Sequence, residues 1–150
     1  MTSEDSIIRF SSAEISIIVH ATENQDKILQ SINNVLSISP DRFSPNTSEG
    51  HWGNRILLLS AVIGSEEANS LISKILSSLN KIDRHSLSDF SFKFIDEKGN
   101  LYIRLDKQRI CQGRTSLSDN DSIRIRLRPV RRYKPTGILE NYRRLLSSKE

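Results

Sequence analysis

Cysteine is nearly missing from this 150-residue chain. The one thiol, Cys111, has no partner within the chain, so neither a disulfide framework nor a Cys-based zinc site can be built. A reducing cytoplasm is the expected setting, with Cys111 as a small half-buried side chain rather than a nucleophile. Long apolar runs are missing too. The longest apolar-rich stretch, Ile56 to Ile63, is eight residues including Ser60, against the roughly 20 needed to cross a bilayer. No membrane partner is expected. Met1 to Ser6 carries two acids and no basic stretch ahead of an apolar run, which is not the layout of a secretory signal.

The common phosphate and nucleophile motifs are absent as well. There is no G-x-x-x-x-G-K-S/T loop, no G-x-G-x-x-G and no G-x-S-x-G, which weakens nucleotide hydrolysis and esterase chemistry and implies no cofactor. Neither an internal repeat, a low-complexity segment nor a convincing linker divides the sequence. Residues 1–150 are therefore expected to form one domain, with 129–150 as a basic C-terminal extension. A chain of this length with 36% apolar residues can bury roughly 70% of its unfolded surface.

What the sequence does have is positive charge, concentrated at one end. Residues 101–150 hold 13 Lys+Arg against 5 Asp+Glu, whereas residues 1–100 hold 9 against 13, so the net charge of +4 conceals +8 and −4. An anionic partner is implied. Ser122 to Arg128 alternates strictly: Ile123, Ile125 and Leu127 belong to one face of a strand, Arg124, Arg126 and Arg128 to the other. The arginines would stand about 6.6 to 6.8 Å apart, comparable to the step between phosphates of a nucleic-acid strand. A solvated strand face is the plain alternative, since exposed charges discourage edge-to-edge aggregation. The company of Arg104, Lys107, Arg109, Arg114, Arg131, Arg132 and Lys134 favours phosphate binding.

Hydrophobic periodicity supplies an outline of the fold. Glu14 to His20 reads as a buried strand, and Thr22 as the cap of a helix whose face is Ile28, Leu29, Ile32, Val35 and Leu36. Pro40 and Pro45 suggest a loop from Ser39 to Gly53. Arg55 to Ile63 reads as a central strand with both faces shielded. Ser65, followed by Glu66 and Glu67, reads as the cap of a second helix with Leu71, Ile72, Ile75, Leu76 and Leu79 on its face. Phe90, Phe92 and Phe94 alternate with polar residues, as do Leu101, Ile103 and Leu105, and Lys98-Gly99-Asn100 between them predicts an antiparallel hairpin. Gln108 to Gly113 is a short turn or helix. A last helix is expected, capped by Thr136, with Ile138, Leu139, Tyr142, Leu145 and Leu146 as its stripe. The class is α+β: a mixed or antiparallel sheet, order β-α-β-α-β-β-β plus a C-terminal helix, with two amphipathic helices on one face and the other left for a partner.

Four segments in order carry a resemblance: His20-Ala21-Thr22-Glu23, Glu49-Gly50-His51-Trp52-Gly53-Asn54, Leu105-Asp106-Lys107-Gln108 and Asp121-Ser122-Ile123-Arg124-Ile125-Arg126. Over roughly Ile15 to Arg128 the chain resembles the archaeal family of small proteins described as predicted RNA-binding, exosome-associated subunits. The resemblance implies a fold related to the ribosomal large-subunit protein that contacts 5S RNA, and RNA binding without a catalytic centre.

The Glu49 to Asn54 segment offers His51 and Trp52 between two glycines. Trp52 can stack on an unpaired base and His51 can hydrogen-bond one, or Trp52 can anchor a tight turn on the core. His20, Glu23 and His51 lack the spacing of a metalloprotease helix, and capping by Thr22 and Glu23 explains them better than catalysis or a metal. His85 lies in a polar stretch and reads as exposed. Tyr102 and Arg104 can share a sheet face with the arginine row and add a stacking surface. The expected function is that of a non-catalytic RNA-binding protein, an accessory factor in RNA processing or degradation, with exosome or ribosome-related proteins as partners. A protein-interaction module docking an acidic partner is the second class, and a small enzyme using His20, Glu23 and His51 the third.

Overall fold

The sheet is arranged around β1 (Phe10–His20), whose side chains alternate between a dry and a wet face. Ala13, Ile15, Ile17 and Val19 are buried, and Glu14, Ser16 and Ile18 point the other way. A register shift between Phe10 and Ser12 returns Phe10 to the buried side, as an inserted residue at a bulge must. The computed structural model describes residues 8–49, 55–130 and 142–146.

β1 lies between β3 (Arg55–Ile63) and β5 (Ser122–Pro129), and the outer strands are β2 (Ser44–Glu49) and β4 (Leu101–Asp106). The order is β2-β3-β1-β5-β4, every neighbouring pair antiparallel. Ile125 illustrates the packing: it faces Ile15 on one side and Ile103 on the other, all three out of contact with water. Full burial of such a side chain contributes about 1.5 to 3 kcal/mol. Helices α1 (Gln25–Leu36) and α2 (Ser65–Ser78) close the core from one side with Ile28, Leu29, Ile32 and Leu36, and with Ala68, Leu71, Ile72, Ile75 and Leu76. Two shorter helices follow, α3 (Lys81–Asp89) and α4 (Lys107–Cys111). In the last described turn, α5 (142–146), Tyr142 donates its hydroxyl to the Gly99 carbonyl at 2.6 Å and stacks obliquely on Phe10. The class is α+β, as expected, and the order of elements broadly holds.

Several local expectations do not hold, each for a physical reason. The Phe90–Phe94 arm of the hairpin is not a strand. Asn80 caps α3 instead, its side chain accepting from the Asp83 N–H, and Ser91–Lys93 forms a 3-10 turn. Leu101, Ile103 and Leu105 pair with Leu127, Ile125 and Ile123 of β5, while Phe90 ends α3 with its N–H on the Ser86 carbonyl and so starts no strand along the outer edge of β4. Lys98-Gly99-Asn100 does turn, with Gly99 at φ 88° and a single bridge between Ile95 and Leu101. The Ser39–Gly53 loop contains a 3-10 turn at Pro40–Arg42 and the edge strand β2. An edge position needs no apolar alternation and tolerates Pro45, whose missing N–H breaks no inner ladder. β3 is shielded on one face only: Leu59, Ala61 and Ile63 are buried, but Val62 is 65% exposed.

The caps shift by one or two residues. Asn24, not Thr22, caps α1 by accepting from the Lys27 N–H. Gly64 holds the cap position of α2, because the Ser65 hydroxyl donates to the Phe10 carbonyl and ties the helix to β1. His85 is exposed and Cys111 half-buried, as expected. Thr136, Ile138 and Leu139 lie outside the described residues.

Candidate nucleic-acid interface

Strand register lines up the side chains of the wet face in rows. One row crosses all five strands, from Arg104 on β4 through Arg124, Ser16 and Ser60 to Ser44 on β2. The next runs Tyr102, Arg126, Glu14, Val62. Arg128 stands opposite Ser12, and Ile18 opposite Leu58. Four arginines and a tyrosine thus gather on two adjacent strands. Ile123, Ile125 and Leu127 are buried beneath them, and all four arginines are exposed.

The charge of this cluster is little compensated. Arg126 Nη2 lies 3.3 Å from Glu14 Oε1, with both side chains about half exposed, and such a pair is worth about 0 to 1 kcal/mol. Among the described residues, Arg104, Arg124 and Arg128 have no ion pair. Tyr102 is fixed in place. Its hydroxyl donates to Asp96 Oδ2 at 2.9 Å, while Asp96 Oδ1 accepts from the backbone N–H of Lys98 and of Asn100. Burial disfavours the Asp96 carboxylate, but hydrogen bonds from Asn100, Tyr102 and Lys98 outweigh it and hold the carboxyl below its ordinary range. Partial burial, then the hydrogen bond to Asp96 and its charge, push the Tyr102 hydroxyl up against the opposing influence of Arg126. The ring is a neutral, oriented platform.

Lys107, expected among the phosphate contacts, is buried completely. Its ammonium is 2.8 Å from the Ile18 carbonyl, 2.8 Å from Glu23 Oε1 and 3.0 Å from Asp121 Oδ1. An ammonium has three N–H groups, and three acceptors use them all. Glu23 Oε1 also accepts from the His20 N–H at 2.9 Å. Burial opposes ionisation of Glu23, but the hydrogen bonds from Lys107 and His20 and the charges of those residues together lower its pKa. His20, Glu23 and Asp121 bring three ligand-type atoms within 4.8 Å of one another. The Lys107 ammonium is held by two of them, Glu23 and Asp121, and its charge opposes a metal ion beside the same carboxylates. His20 and Glu23 therefore come together as expected, but around an ion pair. Asp121 was missed as a member, although the pairing of Asp106 with Ser122 makes Lys107 and Asp121 neighbours once β4 and β5 are known to pair.

Arg109 and Arg114 are exposed on and just after α4, which packs on α1, and so stand apart from the rows. His51, Trp52, Arg131, Arg132 and Lys134 lie outside the described residues. Ser16, Ser60 and Glu14, passed over in the sequence, belong to the face. The Glu-Ile-Ser-Ile alternation of 14–17 was their signal.

The fold and the sequence have clear relatives. An RNA-binding protein of Pyrococcus abyssi, PAB1135, is 32% identical over 117 residues, covering 73% of this chain and 74% of its own length. The crystal structure of AF2318 from Archaeoglobus fulgidus is 26% identical with a TM-score of 0.78, covering 91% of this chain and 99% of that one. That of SSO0741 from Sulfolobus solfataricus is 27% identical with a TM-score of 0.71, covering 91% and 98%. The family model described as RNA binding matches residues 12–128, from the third residue of β1 to the last arginine of β5, and the chain belongs to that RNA-binding family.

Proposed function

We propose that this protein binds RNA through the basic half of its wet sheet face, with Arg104, Arg124, Arg126 and Arg128 on phosphates and the Tyr102 ring against a base. The observation that carries the reading is the pairing of Arg104 with Arg124 and of Tyr102 with Arg126, which gathers these side chains on β4 and β5 where, among the described residues, Glu14 is the one carboxylate ion-paired with an arginine of the cluster. Family membership supports the same ligand. Arg109 and Arg114 are exposed and add to the positive charge of the molecule, which favours the approach of an anion; Arg131, Arg132 and Lys134 remain proposed contacts on their charge alone. We read the chemistry as binding, with the Glu23 and Asp121 carboxylates engaged by the Lys107 ammonium at 2.8 and 3.0 Å.

Binding of a labelled RNA across a salt series tests the proposal. Each phosphate neutralised on a single strand contributes about 0.7 to the slope of log affinity against log salt. Replacing Arg104, Arg124 and Arg128 together by Ala should lower the slope by about 2. An unchanged slope would leave the arginines as a solvated face.

We further propose an accessory role in RNA processing or degradation, in the cytoplasm and in company with the exosome, and a fold akin to that of the 5S-contacting ribosomal protein. The support is the order and spacing of the four resembling segments. Recovery of exosome subunits with the tagged protein, lost on RNase treatment or retained, tests the association and tells whether RNA bridges it.

A further inference from the structure

The wet face is divided along its length, and the division bears on which form of RNA fits it. Among the described residues, the arginines of this face stand on β4 and β5. On β1 and β3 the same rows continue as hydroxyls, Ser16 and Ser60, flanked by Ile18 and Leu58 on one side and by Val62 on the other. Val62 is 65% exposed, and Ile18 and Leu58 are half-buried although they sit on the outer face.

We infer, on the basis of the RNA-binding reading above, that the ligand is a single RNA strand whose backbone runs along β4–β5 and whose unpaired bases lie across β1 and β3. A duplex carries phosphates on two rails flanking its groove, so a duplex-binding surface needs cations on both sides. Here the second rail would meet Glu14 and aliphatic side chains. A single strand needs only one rail. Its bases extend to the side, and β3 lies two strand spacings from β5, about 9.6 Å, within the reach of a nucleotide from its phosphate. Ser16 and Ser60 hydroxyls can donate to or accept from base edges, and Val62, Leu58 and Ile18 supply apolar surface to base faces that would otherwise remain in water.

The test uses one mixed-sequence RNA carrying 4-thiouridine, offered as a single strand and as a blunt duplex. The single strand should bind at least about tenfold tighter, and ultraviolet cross-links should fall in peptides of residues 12–18 or 56–62. Leu58→Ala with Val62→Ala should weaken single-strand binding about five- to tenfold with the salt slope unchanged. Val62→Phe, at an exposed position that does not threaten the fold, should strengthen it by adding a ring for stacking. Equal or tighter duplex binding, or cross-links confined to other segments, would overturn the inference. If the Leu58 and Val62 variants bind as wild type while the arginine variants lose affinity and slope, the base path is wrong and RNA binding stands. If neither set matters, both readings fall.

Discussion

Arg124 and Lys107 come from the same basic third of the sequence, and the fold puts them to opposite uses. Arg124 stands in water beside Arg104 with no carboxylate on it among the described residues, its charge turned to the outside of the molecule. Lys107 is sealed under the end of the sheet, its charge spent on Ile18, Glu23 and Asp121. The two differ in acceptor supply. A strand face offers an arginine only its neighbours across the ladder, and β4 and β1 set Arg104 and Ser16 beside Arg124. The residue after β4 meets a strand-end carbonyl, a helix-turn carboxylate and the aspartate preceding β5. A burial that would cost several kcal/mol for an unpaired ammonium becomes tolerable where each N–H has an oxygen.

The sharpest way to break this contrast is to exchange the roles. Lys107→Ala should cost about 2 to 4 kcal/mol in denaturant unfolding, because a half-buried carboxylate and a carbonyl lose their donor. The RNA affinity and salt slope of the folded variant should not change. A stable variant with a reduced slope would place Lys107 among the phosphate contacts after all. The converse holds for Arg104, Arg124 and Arg128: their joint replacement by Ala should lower the salt slope by about 2 while each site alters stability by no more than about 0.5 kcal/mol. A large fall in melting temperature would mean that the row is structural.

Acid should separate the two regions as well. Glu23 has a folded pKa below its ordinary 4.5, so its contribution to stability is present above about 4.5 and is lost as pH falls through the depressed value. Glu23→Gln should therefore flatten the acid limb of the stability curve, read by thermal unfolding between pH 6 and 3 (about that range suffices). A variant that keeps the wild-type acid limb would show that the carboxylate carries none of it. The smallest effect is expected at Glu14. Glu14→Gln removes the one carboxylate paired with Arg126, so stability should change by less than about 1 kcal/mol while RNA affinity rises a few-fold at low salt. Weaker binding would mean that Glu14 orients Arg126 for its ligand instead of competing for it.

Much of this was legible because it rests on short periods. The Ser-Ile-Arg-Ile-Arg-Leu-Arg run could satisfy a water boundary in one way only, as a strand with arginines outward. The α1 and α2 stripes were equally plain. The Phe90–Phe94 alternation had the same local form and failed, since the helix capped at Asn80 runs to Asp89 and its end carries Phe90 and Ser91–Lys93 into helical turns, although β4 lies at the edge of the sheet. The edge strand β2 was illegible for the opposite reason: polar residues and a proline carry no period at a position that demands none.

What the sequence by itself determined is the set of local surfaces, namely two apolar helix stripes, alternating strands and an arginine row, because these follow from side-chain chemistry repeated at the backbone's own period. What only the tertiary structure decided is which of those surfaces meet. The register of β4, β5, β1 and β3 placed Arg104 beside Arg124 and continued both into Ser16 and Ser60, and the same register drew Lys107 in between Glu23 and Asp121. Charges far apart in a chain interact only after folding brings them within a few ångströms, and no pattern of residue types states that distance in advance.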